Sequence, residues 1–303
     1  MSDTIISAAG YRVRVPDLDP LLRAVRAAPD DLEVLAAYAD ALVGRGEPLG
    51  ELIRVACALA GAVAAEARAG LVAREQALLA AHEDAWLGPL RDVVDHHVWW
   101  RGMLGLDVSV AGFLRRHADL GAAPAVRFVD VSDWSADLEA GAWRALVACP
   151  DLRWVTLLGV RGRYCHDGDE ALLRDEDAAS LAASEHARGL IGLDLGFNAI
   201  GDAGLVAIAR SPHLAGLRSL ALRGCRYGDA GLLALANEAT FVGLETLDLS
   251  YCDGPRGDGD GWRALAASQR FPRLRWLGSR GSPVPEDVQA ALAGRGADDE
   301  PEY

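Results

Sequence analysis

Three segments of the chain share one spacing: Leu190-Leu193-Leu195-Asn198, Leu217-Leu220-Leu222-Cys225 and Leu244-Leu247-Leu249-Cys252, at a step of 27 residues. In each, the fourth and sixth positions are apolar and separated by one residue. That is strand spacing, which places alternate side chains on one face. The ninth position, Asn or Cys, falls where the chain leaves the strand. Its side chain can satisfy backbone groups opened by the turn, as a ladder from one coil to the next. A helix is predicted after each strand. Gly201–Ala209 and Gly228–Ala236 both read Gly-Asp-Ala-Gly-Leu, with Asp202 and Asp229 as predicted N-caps. Leu205 with Ile208, and Leu232 with Leu235, then share a helical face. One such unit cannot bury its apolar face alone, so neighbouring units have to stack.

This spacing is the signature of a leucine-rich repeat, and helix-containing units of this length resemble the ribonuclease-inhibitor-like class. The resemblance implies an α/β solenoid with parallel strands inside and helices outside. It covers residues 126–292. Upstream, Leu152-Val155-Leu157-Val160 and Val126-Val129-Val131-Trp134 fit the same frame. Downstream, Leu274-Leu277-Ser279-Ser282 starts a coil that ends at Pro283 and Pro285, and a short helix at 287–292 is expected to cap it. The step from Leu152 to Leu190 leaves a surplus assigned to 161–175, and a smaller surplus falls in 254–261.

Residues 17–59 read as helices. Asp30 is the predicted cap of one that carries Leu35, Tyr38, Ala39 and Leu42 at helical spacing, with Glu33 completing a capping box. Gly44 to Gly46 stops it, and Pro48 opens the next. Residues 49–82 are expected as one long helix or two shorter ones with a break at Gly70. The set Pro29-Asp30-Asp31, Tyr38-Ala39-Asp40, Leu42, Arg45-Gly46, Pro48, Gly50-Glu51 and Ile53-Arg54 resembles the repeat-companion domain of the myxobacterial and planctomycete type. That short helical module accompanies leucine-rich and other repeats. Ala41 stands where the family has Trp, and Val43-Gly44 where it has acidic residues. The resemblance therefore implies an all-α region ahead of the repeats, and no activity.

The domain organisation that follows is an extension at 1–16, a helical region at 17–95 that includes the companion-like module at 17–59, a solenoid with caps at 96–292, and an acidic, disordered tail at 293–303. A net charge of −14 argues against nucleic acid, which requires phosphate neutralisation. It fits a basic partner, and solubility alone also accounts for it. The five Cys follow no pairing pattern, which points to reduced thiols in a cytoplasmic protein. No secretory signal is read at the N-terminus, and Val55–Ala65 is too short to span a bilayer.

The strand positions between the leucines would line the concave face. The expected partner-binding set is Phe128, Asp130, Trp154, Asp194, Phe197, Arg223, Asp248, Tyr251, Trp276 and Arg280. Asp130, Asp194 and Asp248 share one position and make an acidic row with aromatic neighbours, which suits a basic, partly apolar protein segment. His96, His97, Trp99 and Trp100 read as a Trp cap over the first coil rather than a metal pair, because adjacent strand residues face opposite ways. Cys165, His166, Asp167, Asp169 and Glu170 match no zinc spacing. Asp258-Gly259-Asp260-Gly261 opens like a calcium loop, but position twelve is Gln269. No nucleophile, phosphate-loop or dinucleotide motif is present. The expectation is a non-enzymatic interaction scaffold without cofactor or metal, acting through the concave face. The alternatives are a structural or regulatory subunit that contacts an assembly through its N-terminal helices, or an enzyme or metal-binding protein that uses the 161–175 insertion.

Overall fold

The computed structural model describes residues 4–6, 12–14, 18–27, 31–133, 138–139, 141–162, 173–252 and 257–293. It is an α/β structure with eleven α-helices among the described residues and an eight-stranded, mostly parallel sheet. The chain divides into two compact units, one of residues 1–107 with 118–129 and one of 108–117 with 130–303. Trp134, residues 163–172 of the insertion and the tail from 294 lie outside the described residues.

The first unit begins with an antiparallel pair, β1 (Thr4–Ile6) and β2 (Arg12–Arg14). Helices α1 (Leu18–Ala27), α2 (Leu32–Val43), α3 (Pro48–Ala60) and α4 (Ala65–Leu87) follow. Next come β3 (Val94–Trp100) and β4 (Met103–Val108), joined by Arg101 and Gly102 at φ 53 and 73, the twist a two-residue hairpin needs. The region ahead of the repeats is therefore not wholly α.

Asp31, not Asp30, caps α2. Its carboxylate accepts from the N–H of Glu33 at 2.9 Å and Val34 at 3.2 Å. Leu35, Tyr38, Ala39 and Leu42 are buried as their spacing requires. The helix break falls at 61–64, and α4 runs through Gly70 uninterrupted. Gly50 is demanded by packing, because a Cβ there would lie 2.6 Å from the Ala39 carbonyl oxygen. The Tyr38 hydroxyl donates to the Pro124 carbonyl at 2.7 Å and tethers α2 to the 118–129 segment.

In and around the second unit the chain forms α5 (Val110–Ala122), β5 (Val126–Asp133), α6 (Ala142–Ala148), β6 (Val155–Val160), α7 (Asp175–Ala183), β7 (Gly192–Asp194), α8 (Asp202–Arg210), β8 (Ser219–Ala221), α9 (Asp229–Glu238), β9 (Thr246–Asp248), α10 (Asp260–Ala267), β10 (Trp276–Gly278) and α11 (Glu286–Ala293). Strands β6 to β10 follow one another in chain order, with β10 at the sheet's end. Leu193, Leu220, Leu247 and Leu277 align across four parallel strands. The six leucines at 193, 195, 220, 222, 247 and 249 are all at most 2% exposed.

Two ladders lock coil to coil. Three ninth-position side chains donate to the sixth-position carbonyl of the coil before: Asn198 Nδ2 to Val160 at 2.8 Å, Cys225 Sγ to Leu195 at 3.4 Å, and Ser282 Oγ to Leu249 at 2.7 Å. The second ladder corrects the cap assignment. Asp202 and Asp229 sit in the first turn of their own helices and cap the next. Asp202 Oδ1 accepts from Gly228 N–H at 2.8 Å and Gly231 N–H at 2.7 Å. Asp175 does the same for Gly201 and Gly204, and Asp229 for Gly259 and Gly261. The open N–H groups of each helix start are thereby satisfied from the preceding coil. The stretch at Asp258–Gly261 serves this contact.

Candidate functional site

The pairing of β6 with β7 moves one coil of the expected frame. Leu158, not Val155, lies opposite Leu193, and Gly159 lies opposite Asp194. Val155 thus takes the first position. Leu158 is buried, whereas Leu157 is 41% exposed and lies over Gly192. The local reason is that Pro150–Trp154 forms the same five-residue 3-10 turn that Glu185–Gly189 forms before Leu190, so the frame starts at Val155. Trp154 therefore belongs to that turn and not to the strand face, and Arg153 lies over its ring at 4.9 Å.

In the corrected frame the fifth positions are Gly159, Asp194, Ala221, Asp248 and Gly278. The seventh are Arg161, Gly196, Arg223, Ser250 and Arg280, and the eighth are Gly162, Phe197, Gly224, Tyr251 and Gly281. Two kinds of coil alternate. One carries Arg at seven and Gly at eight; the other carries Asp at five and an aromatic at eight. Arg161 and Arg223 each close on the aspartate of the following coil. Arg161 Nε donates to Asp194 Oδ2 at 2.7 Å, and Arg223 Nε and Nη2 to Asp248 Oδ2 at 2.8 and 2.7 Å. The other carboxylate oxygens accept from the N–H of Gly196 at 2.9 Å and Ser250 at 3.0 Å.

Asp194 and Asp248 of the expected acidic row are therefore engaged within the sheet face. Asp248 is fully buried and Asp194 half-buried, each neutralised by an arginine. Desolvation makes an uncompensated carboxylate costly here, so the pairs hold the sheet face together.

Phe197 and Tyr251 take left-handed backbone angles, φ 58 and 57, where the chain turns off the strand. Their rings lie across the glycine of the following coil. A Cβ at Gly224 would sit 2.5 Å from Phe197 Cδ1, and one at Gly281 would sit 2.6 Å from Tyr251 Cδ1. Tyr251 is nevertheless 39% exposed. Trp276 is half-buried and leans over Gly278. Phe128 and Asp130 on β5 are half-buried, and the Phe128 ring packs on Gly105. Arg280 is exposed.

The segment at 96–100 is not a buried Trp cap, because Trp100 is 50% exposed. Trp99 is half-buried, donates to Glu83 at 2.7 Å and stacks edge-on against Trp86 at 5.3 Å. His97 shares the same carboxylate at 3.0 Å. These two bonds, Trp99 first, lower the Glu83 pKa against the effect of burial.

Sequence reasoning missed one cluster. His117, Cys149 and Asp151 bring their donor atoms within 4.8 Å of one another, with His117 Nδ1 2.8 Å from Asp151 Oδ2. These are zinc-type donors. The His117 bond and an Arg153 contact at 3.3 Å engage the two oxygens of the Asp151 carboxylate. Cys149 follows α6 where Ser184 and Ser211 follow α7 and α8. His117 lies on α5, too far away in the chain to suggest the grouping from spacing.

A family model described as Leucine Rich repeat matches residues 191–209, which run from the start of β7 into α8. The parallel strands, the helices and this match together support a leucine-rich repeat within the chain. No curated protein matches the sequence. Among the described residues, no helix is long and apolar enough to cross a membrane.

Proposed function

We propose that the coils form a leucine-rich-repeat solenoid that works as a non-enzymatic protein-interaction scaffold, with the outward face of β6 to β10 as its binding surface. Leucine-rich repeats commonly mediate protein–protein interaction. The observation that carries the reading is the set of large side chains left exposed on the coils of β6, β7 and β9: Leu157, Ile191 and Tyr251 are 41%, 38% and 39% exposed. Rigid, part-exposed aromatics beside arginine are what interface anchors are made of. With the aspartates neutralised, recognition rests on these apolar groups and on Arg280 rather than on an acidic row.

The companion-like module and the division at 17–95 and 96–292 belong to the same reading. The alternative, contact through the N-terminal helices, would favour an apolar patch across 52–79. Leu52, Ile53, Val55 and Ala56 are buried, and Val72 is the one large apolar side chain of α4 that is exposed, at 36%. The test is photo-crosslinking from residue 251 in the native host, followed by capture of the adduct. Crosslinks from Tyr251 that vanish in a Leu157→Glu variant support the face. Crosslinks from Val72 alone transfer the function to the helices.

A further inference from the structure

We infer that the end of the sheet at β10 is a docking edge for an extended acidic protein segment, anchored by Arg280. This deepens the protein-binding reading and rests on it. The molecule's own repetition points to this edge. Three arginines occupy the seventh position of alternate coils. Two of them, Arg161 and Arg223, are closed by an aspartate one strand further on, at 2.7 and 2.8 Å. Arg280 is the third, two residues past the end strand β10, and among the described residues no carboxylate meets it.

The backbone is left open in the same way. The N–H of each sixth-position residue donates to the next strand: Leu195 to Ala221, Leu222 to Asp248, and Leu249 to Gly278. Eighth-position N–H groups do likewise, Phe197 to Arg223, Gly224 to Ser250 and Tyr251 to Arg280. Ser279 and Gly281 hold these two positions just past β10, and their N–H groups have no acceptor among the described residues. An open edge of this kind pairs with an added strand. The guanidinium then selects which strand. A parallel segment whose carbonyls take the Ser279 and Gly281 N–H groups and whose fifth residue is Asp delivers its carboxylate to Arg280, as Asp248 does to Arg223. Charge complementarity thus names the partner as an acidic strand with flanking leucines, and it excludes a basic one.

The probe is a fluorescein-labelled peptide with the sequence of residues 190–198, which carries Asp194 at the fifth position. It is compared with the same peptide bearing Asn there, and binding to the full chain is followed by anisotropy. We expect saturable binding, weakened about tenfold by the Asn peptide and about tenfold by Arg280→Gln, since a charge-assisted pair is lost in both. Arg280 is exposed, so that variant keeps its fold. Ser279→Pro, which deletes an open N–H and no charge, should weaken both peptides equally. Equal affinity of the two peptides, or an Arg280→Gln chain that binds like wild type, overturns the proposal. Two further results also overturn it: tighter binding after neutralising Asp298, Asp299 and Glu300 assigns the edge to the chain's own tail, and Arg280-dependent dimers in sedimentation assign it to a second copy. If Tyr251 crosslinks a partner whose binding ignores Arg280→Gln, the edge fails while the face reading stands.

Discussion

The aspartate ladder between helices makes a prediction whose sign is opposite to the usual rule. In a helix, Gly→Ala normally stabilises by about 1 kcal/mol through backbone entropy. Gly231 lies in the first turn of α9, and a Cβ there would stand 2.9 Å from Asp202 Oδ1, 3.0 Å from Leu205 Cδ2 and 3.2 Å from Leu205 Cβ. The carboxylate cannot retreat without stretching its bonds to Gly228 and Gly231 N–H, at 2.8 and 2.7 Å. Gly231→Ala is therefore expected to destabilise by about 1 kcal/mol, the entropy gain being outweighed by strain and a weakened cap.

Asp202→Ala removes the one oxygen that accepts both bonds. An N-cap loss is about 1 kcal/mol and a buried N–H without a partner about 1–3 kcal/mol, and partial solvent access here puts the sum near 2 kcal/mol. In that background the close oxygen is gone, so Gly231→Ala should cost almost nothing, giving a coupling of roughly 1 kcal/mol between the sites. Urea unfolding followed by circular dichroism measures the four corners. Because repeat arrays can lose cooperativity, amide exchange at Gly228 and Gly231 gives the local reading. A Gly231→Ala chain more stable than wild type, or unchanged exchange at both amides in Asp202→Ala, would refute the ladder.

Four further outcomes are expected. Leu220→Ala, at a fully buried site, should cost about 2–5 kcal/mol, and an unmoved urea midpoint would count against the stacked core. Arg223→Gln leaves the buried Asp248 carboxylate without its cation and should cost about 3 kcal/mol by the same assay, far more than a surface pair would. Burial pushes the Cys225 thiol from its ordinary 9.0 up to about 12 and raises the Tyr227 hydroxyl well above its ordinary value. The folded chain then holds protons that the unfolded chain releases, so stability is full below about pH 9 and falls as pH rises towards about 12; a midpoint flat across that window would contradict it. Metal analysis of the purified protein should find no zinc at His117, Cys149 and Asp151, and Cys149→Ser should fold normally; one equivalent of zinc lost in that variant would reverse the assignment.

What the sequence made legible follows from which interactions are local. The leucines of the three 27-residue repeats, Leu190-Leu193-Leu195, Leu217-Leu220-Leu222 and Leu244-Leu247-Leu249, announce themselves because burial repeats at a fixed step, and all of them are in the core. The register of β6 did not, because Leu-Arg-Trp-Val-Thr-Leu-Leu-Gly-Val satisfies the apolar spacing from Leu152 and again from Val155. Burial alone cannot separate two frames three residues apart. The deciding signal was Pro150, which precedes Val155 by the same five residues that separate Pro212 from Leu217.

The helix caps failed for a related reason. Gly-Asp-Ala-Gly reads locally as a cap followed by its helix, whereas the second glycine is there to admit the carboxylate of the previous coil. The face failed at longer range. Asp194, Asp248 and the arginines read as separate rows, yet the bond runs diagonally, from the seventh position of one coil to the fifth of the next. Strands lie about 4.8 Å apart, well within the reach of a guanidinium, so adjacent coils compensate one another and the visible charge pattern is consumed internally. That diagonal also explains why opposite charges alternate by coil rather than appearing in every repeat: an Arg–Asp step needs two unlike coils. A chain built this way presents unspent charge on this face only where the alternation stops, and among the described coils it stops at Arg280.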